Sequence, residues 1–394
     1  MNLPPPSLQR SLPTLCLLIY VCAVSIGTFT GGLWASLGIG GALLMYGGTC
    51  LIEHKRPSLN TNFTSFVGIV ILAIGLLNFH SAFPSVWHSW AQLITILIPL
   101  SLLFSPDIQA HIFHPRFFSY VSLFASIGAC ALGLELALGC PLLHFVRGIN
   151  ASATEYNRGI SYLIVFAFPL MAYLWKANRK WVLALFIFIL LIPTSLTDSR
   201  ATRMALILGL ATTVLSFIAP LMTRRGLALL LLASVLCPFA VTTVFIQYPD
   251  WIDKLPPSWH HRVEIWDYMS YRIFEHPFLG WGLGTSSQLA FEQPHGDLYQ
   301  YVKMAAPHPH NFIIQLWVEL GLIGLILGFT FALYILHKAA LYPSTIRPFA
   351  FGAWVAAWSI SLVAYNFWTD SLFAMFTLTS FAFILLKSSL HSEV

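Results

Sequence analysis

The chain has 394 residues, of which 57% are hydrophobic and 9% charged, with a formal net charge of +5 and a mean hydropathy of +0.76. Soluble globular domains carry about 25% charged residues, so the composition excludes a soluble enzyme. The basic residues are scattered through short loops, which excludes a nucleic-acid surface.

The apolar runs reach the roughly 20 residues needed to cross a bilayer. In hydrocarbon the backbone must satisfy its own hydrogen bonds, which leaves helices or a closed barrel. The runs are too long for barrel strands and lack period-2 alternation, so the expected class is an all-α polytopic membrane protein. Twelve spans are expected, near 12–30, 33–52, 64–83, 89–105, 117–139, 159–175, 181–195, 203–221, 226–246, 311–337, 347–366 and 370–387. They form a single integral membrane domain, 1–394. Arg10 precedes the first apolar run, and no small-residue cleavage site follows, so that run is read as an uncleaved first span. Cys16, Cys22, Cys50, Cys130, Cys140 and Cys237 lie in or beside apolar runs without metal or redox spacing and are read as packing residues.

Loop charge sets the expected orientation. With the N-terminus inside, the inner segments hold Arg10, Lys55, Arg56, Arg116, Lys176, Arg179, Lys180, Arg224, Arg225, Lys338, Arg347 and Lys387. The outer segments hold Arg147, Arg158, Arg200, Arg203, Lys254, Arg262, Arg272 and Lys303. Both termini are therefore expected in the cytoplasm. The long polar segment 247–310 then becomes an outer loop between the ninth and tenth spans. Within it, Arg262 to Glu275 reads as an amphipathic helix lying in the interface plane. Val263, Trp266, Met269 and Ile273 share one face, and Glu264, Asp267, Tyr271 and Glu275 the other.

The outer arginines break the positive-inside pattern. Arg200 and Arg203, three residues apart, share a helix face behind Asp198 or Ser199 as N-cap. A helix N-terminus favours anions, and guanidinium forks match phosphate oxygens. Arginine near hydrocarbon costs at least about 2–3 kcal/mol unless satisfied. A phosphate or diphosphate ligand would offset that cost, with Arg200 and Arg262 nearest to it and Arg203, Arg158 and Arg147 in support. Snorkelling to headgroups, or pairing with Asp198, is the bland alternative.

His308-Pro309-His310-Asn311 opens the tenth span. Asn311 is a good cap, and Pro307 and Pro309 remove two donors. The positive end of the helix dipole favours neutral imidazole, the form a general base needs. His310 is the candidate base, with His308, Asn311 and Trp266 in support. A His308/His310 metal pair lacks a carboxylate or cysteine partner at ligand spacing, so no metal and no cofactor is expected. Pro277 to Thr285, with Gly280, Gly282 and Gly284, reads as a tight, Trp-anchored turn rather than a phosphate loop. Glu319, inside the tenth span, is a buried carboxylate without an assigned role.

Taken together, His310-Asn311, nine residues, Gly321, two residues and Gly324 resemble the pattern of the O-antigen ligase family. Arg262 to Trp266, the Pro277–Thr285 turn, Ser199-Arg200 and Asn157-Arg158-Gly159 also resemble parts of that family. The resemblance covers roughly residues 145–330. It implies an inverting, metal-independent glycosyltransferase of the membrane GT-C type in a bacterial inner membrane, with its active site facing the periplasm. The implied donor is a glycan on undecaprenyl diphosphate, and the implied acceptor is a sugar hydroxyl of lipid A-core. The same motif occurs in O-antigen polymerases and protein O-oligosaccharyltransferases, so these activities stay open. The compact chain, without a C-terminal periplasmic domain, leans away from the protein transferase. A transporter using Glu319 and the arginines would need an inverted repeat and broken helices in matching halves. The sequence shows neither, and it leaves the oligomeric state open.

Overall fold

The computed structural model describes residues 61–103, 117–289 and 308–388. The spans expected at 12–30 and 33–52 lie outside the described residues. So do Cys16, Cys22, Cys50, Arg10, Lys55, Arg56, Arg116, Lys303 and Pro307, and segment 290–307 of the expected outer loop.

Twelve α-helices are described, with no strand among the described residues: α1 Thr61–Asn78, α2 Ser85–Leu103, α3 Phe117–Ala137, α4 Pro141–Arg147, α5 Asn157–Lys176, α6 Lys180–Leu196, α7 Arg200–Ile218, α8 Pro220–Gln247, α9 Pro257–Glu275, α10 Phe312–Ala340, α11 Arg347–Val363 and α12 Asp370–Ser388. Each of the ten expected spans that falls in the described residues lies largely on a helix. Five stretches, Phe118–Ala137, Ala153–Lys176, Arg200–Ile218, Pro220–Gln247 and Phe312–Ala340, are long and apolar enough to cross a bilayer. The protein is thus all-helical, of the multi-pass membrane kind. Leu229, Leu232 and Leu236 on α8, and Ile207, Val214 and Ile218 on α7, point outward, as helices facing lipid require.

The core is built on α5, α10 and α11, whose side chains are largely buried. Helices α7 and α11 approach closely where both lack a Cβ. A Cβ on Gly209 would meet the Gly352 carbonyl at 2.9 Å, and one on Gly352 would collide with Thr213 Oγ1. Phe168 of α5 fills the remaining space. Small residues at such a crossing let backbones touch, which is how helices gain packing in lipid.

Two expectations change. Segment 262–275 does not lay one face on the membrane. Val263, Glu264, Ile265, Trp266, Tyr268, Met269, Ser270, Arg272 and Ile273 are all buried, and only Tyr271, Phe274 and Glu275 project outward. Helix α9 packs instead into a cluster with Ile314 and Val318 of α10 and with Phe239 and Val241 of α8. The span expected at 347–366 ends at Val363, and residues 364–369 form a turn with polar work to do.

Helix α10 is broken at Gly321 (φ 65°, ψ −166°), a conformation essentially confined to glycine. A break here frees backbone carbonyls and amides, and the segment after α9 bonds two of each. The amides of Trp281 and Gly282 donate to the carbonyls of Val318 and Glu319 at 2.9 and 2.8 Å, and the amides of Leu322 and Ile323 donate to the carbonyls of Pro277 and Phe278 at 2.9 and 3.5 Å. The fit leaves no room for a side chain. A Cβ on Gly321 would collide with the Phe278 carbonyl, and one on Gly280 would lie 2.5 Å from Glu319 backbone atoms. The other side of the same segment docks on the α1–α2 turn. His80 Nε2 donates to the Gly280 carbonyl at 2.6 Å, and Asn78 Oδ1 accepts from the Leu283 amide at 3.0 Å.

Gly321→Ala should therefore cost about 3 kcal/mol or more, because it adds a backbone clash to a strained φ. Gly68→Ala, on the open face of α1 with nothing within 4 Å, should be neutral or stabilising by up to about 1 kcal/mol. Thermal unfolding of both variants in detergent measures the difference.

Candidate active site

The turn before α10 is held from three sides. Asn311 Oδ1 accepts the amides of Ile313 and Ile314 at 2.9 and 3.2 Å, which makes it the expected N-cap. Trp266 of α9 donates its indole N–H to the Pro309 carbonyl at 2.9 Å. His310 lies at φ 52°, a left-handed backbone that costs about 1–2 kcal/mol outside glycine, and its ring is tied to the turn after α11. Its Nδ1 lies 3.1 Å from the Ala364 carbonyl. A carbonyl can only accept, so Nδ1 carries the proton and Nε2 of the neutral ring is the proton acceptor.

Burial keeps this ring neutral. It pushes His310 down to about 4; the Ala364 hydrogen bond opposes this, and the charges of Arg262 and His261 add to it. Burial pushes His308 down to about 3, followed by repulsion from His310, Arg158, Arg262 and His261. The three rings are neighbours: His308 and His310 lie 4.0 Å apart by centroid, and His261 and His310 lie 6.4 Å apart. His261, on α9, has no sequence signal of its own. Among the described residues no group of three His, Cys, Asp or Glu side chains is arranged to hold a metal ion.

The turn 363–369 joins these parts, and no sequence motif marks it. The Val363 carbonyl accepts Arg262 Nε and Nη2 at 3.1 and 3.0 Å. Tyr365 hydroxyl bonds Ser161 Oγ at 2.9 Å, and Ser161 Oγ bonds Thr202 Oγ1 at 2.7 Å. Gln315 Nε2 donates to Asn366 Oδ1 at 2.8 Å, and Gln315 Oε1 accepts the Phe367 amide at 2.9 Å. The N-terminal ends of α5, α7 and α10 therefore converge on one short turn. The signal available in the sequence is the pair Tyr365-Asn366, polar residues at the end of an apolar segment.

The arginines divide by what they already hold. Arg262 has two N–H groups on Val363 and its guanidinium 6.0 Å from the Trp259 ring, so it braces α9 to α11 beside the histidines. Arg147 is ion-paired with Glu155. Arg158 is exposed and sits 5.9 Å over the Tyr365 ring. Arg200 is the exposed first residue of α7, directly after Ser199, whose Oγ accepts the Thr202 amide at 3.2 Å. Arg203, one turn on, is half-buried. Among the described residues, Arg158, Arg200 and Arg203 are the sequence-predicted cations that remain available at these helix ends.

Glu319, fully buried, acquires a structural role. Its carboxylate accepts the Gly284 amide at 2.7 Å, the Ser286 amide at 3.4 Å, Gln315 Nε2 at 3.2 Å and Trp368 Nε1 at 2.5 Å. It ties the glycine segment to the 363–369 turn. That segment is a Trp-anchored turn: Trp281 donates to the Arg272 carbonyl at 3.0 Å.

Residues 185–329 match the family model described as O-antigen ligase. Over 223 residues the chain is 27% identical to a protein of Rickettsia conorii named "Putative polysaccharide ligase", a stretch that is 54% of this chain and 53% of that protein. A protein of Rickettsia felis with the same name is 28% identical over 232 residues, 56% of each chain. The chain thus spans about half the length of the curated relatives it matches. The family match takes in Arg200, α9, the glycine segment, His310 and Gly321. Arg158, Ser161 and the 363–369 turn fall outside it.

Two outcomes follow. Glu319→Ala leaves four donors facing a buried void and should cost about 3 kcal/mol or more, with Glu319→Gln intermediate, as read by thermal unfolding. His308 and His310 bind protons less readily folded than unfolded. Their contribution to stability is therefore complete above about pH 6.5 and lost as pH falls through the window down to about 3. The melting midpoint should drop across that window, and His308→Gln should flatten the drop.

Proposed function

We propose that the protein is an O-antigen ligase of the GT-C membrane type, moving a glycan from undecaprenyl diphosphate to a sugar hydroxyl of lipid A-core at the periplasmic face of a bacterial inner membrane. The observation that carries this reading is His310. It is a neutral imidazole with Nδ1 committed to Ala364, Nε2 left to accept a proton, and cationic groups around it.

The acceptor oxygen attacks the anomeric carbon from the face opposite the leaving group. The bond from that carbon to the diphosphate oxygen breaks, and undecaprenyl diphosphate departs with the electron pair. The hydroxyl proton passes to Nε2 of His310, and the anomeric configuration inverts. The diphosphate needs charge stabilisation rather than protonation, so one base suffices where many glycosidases use two carboxylates. Arg200, Arg203 and Arg158 supply that stabilisation directly. Arg262 contributes position and field, and Arg147 organises its own loop through Glu155.

A ring held near 4 is a weak base. A bound diphosphate reverses the local field and raises it. The pH profile of kcat/KM, which reports free enzyme, should therefore break near 4, and that of kcat should break at higher pH. Identical breaks in both profiles would remove the coupling.

The break in α10 is the one feature that a transporter reading would also want. Four backbone groups at the break are bonded to the glycine segment rather than facing an ion path.

His310→Ala should lower turnover by about 10²-fold or more without loss of membrane insertion. Arg200→Lys should weaken donor binding, because an ammonium lacks the fork. The deciding assay offers one undecaprenyl diphosphate glycan and, separately, lipid A-core, a second lipid-linked repeat and a pilin-like protein. Transfer to lipid A-core alone is the expected result. Transfer only to the lipid-linked repeat makes the protein a polymerase, and transfer only to the protein makes it a protein transferase.

A further inference from the structure

A second cationic site lies at the other end of α10. The stretch of this helix after the break, residues 322–340, has 19 residues, about 28 Å at 1.5 Å per residue, so its last turn lies well beyond the break from His310. There a cavity of about 380 Å³ opens between the start of α8 and the end of α10, lined by Leu221, Arg224, Arg225, Ala228, Leu333, Leu336 and His337.

The lining is graded. Leu336 is buried and Ala228 half-buried, whereas Arg224, Arg225 and His337 are exposed. Arg224 Nη2 lies 3.5 Å from His337 Nδ1. Guanidinium only donates, so Nδ1 accepts and His337 presents its Nε2–H as a further donor. Among the described residues no carboxylate is ion-paired with Arg224 or Arg225. The cavity thus sets donors and positive charge beside an apolar wall, with Leu336 buried at its base and Leu221 and Leu333 exposed.

We propose that this cavity binds an anionic phospholipid, its phosphate held by Arg224, Arg225 and His337 and the start of an acyl chain along Leu221, Leu333 and Leu336. Basic pockets between membrane helices suit such headgroups. The volume far exceeds the roughly 30 Å³ of a single water, and the apolar wall gives a free phosphate nothing to bind. A zwitterionic headgroup would bring its own cation against two uncompensated arginines. The site is separate from the candidate active site and does not rest on the proposed transfer reaction.

The test uses the full chain purified in neutral detergent, with native mass spectrometry after adding dioleoylphosphatidylglycerol or dioleoylphosphatidylcholine at equal mole fraction. The expected result is retention of the glycerol lipid over the choline lipid by about tenfold. Arg224→Gln with Arg225→Gln should reduce it to the choline-lipid level. Ala228→Phe, which narrows the cavity and keeps every charge, should do the same; if it lowers the melting midpoint, the double variant alone decides. Equal retention of both lipids, or unchanged retention in the double variant, overturns the proposal. Binding of inorganic phosphate without a preference for the anionic lipid overturns the lipid assignment as well.

Discussion

A helix that breaks inside a membrane must find partners for the backbone groups it releases, because hydrocarbon offers none. Gly321 creates such a break, and the segment Pro277–Gly282 closes it with four backbone hydrogen bonds. The glycines follow from the closeness of the two chains: Gly280 and Gly321 each lie where a Cβ would strike the other segment's backbone. The splice fastens a peripheral segment to a central helix by main-chain contacts, which depend little on side-chain identity elsewhere. It also fixes where α9, the helix immediately before that segment, must lie.

The candidate site is built on this splice. Helix α9 enters the core and places Trp266 under the Pro309 carbonyl and Arg262 against the end of α11. Glu319, two positions before the break in α10, gathers the glycine segment and Trp368 on one carboxylate. Gln315, one turn earlier, holds Asn366 and the Phe367 amide. The first turns of α10 therefore orient the 363–369 turn, and its Ala364 carbonyl orients the His310 ring. Each contact beyond the splice is only one or two hydrogen bonds, but they share partners and act as one network.

The electrostatics of this network suit an anion better than a cation. Burial and nearby positive charge keep His308 and His310 neutral, and Arg158 and Arg200 face outward at helix N-termini. An arriving diphosphate would relieve repulsion among groups that the fold already holds together. On the proposed reading, the donor's charge would serve twice, in binding and in restoring basicity to His310. The family match covers the histidine turn and Arg200 but stops short of the 363–369 turn, so the site is completed by parts of the chain beyond the matched stretch.

The sequence alone determined what depends on local composition and short spacing. Apolar run length located the helices, and the caps Asn311 and Ser199 are legible because an N-cap bonds amides two or three residues away. The unusual placement of arginines and of His310 is also visible, since charge beside hydrocarbon stands out in any window. Only the tertiary structure decided the rest. Helix α9 has the pattern of an interfacial helix, yet it is largely buried, because it packs against α8 and α10 and ties to the turns before α10 and after α11. Tyr365 and Asn366 read as the frayed end of a span, and Glu319 as an isolated carboxylate. Apart from Gln315, one turn from Glu319, their partners on other elements lie 33 to 204 positions away along the chain, a separation at which periodicity and propensity carry no information and only the packing of helices in space brings the groups together.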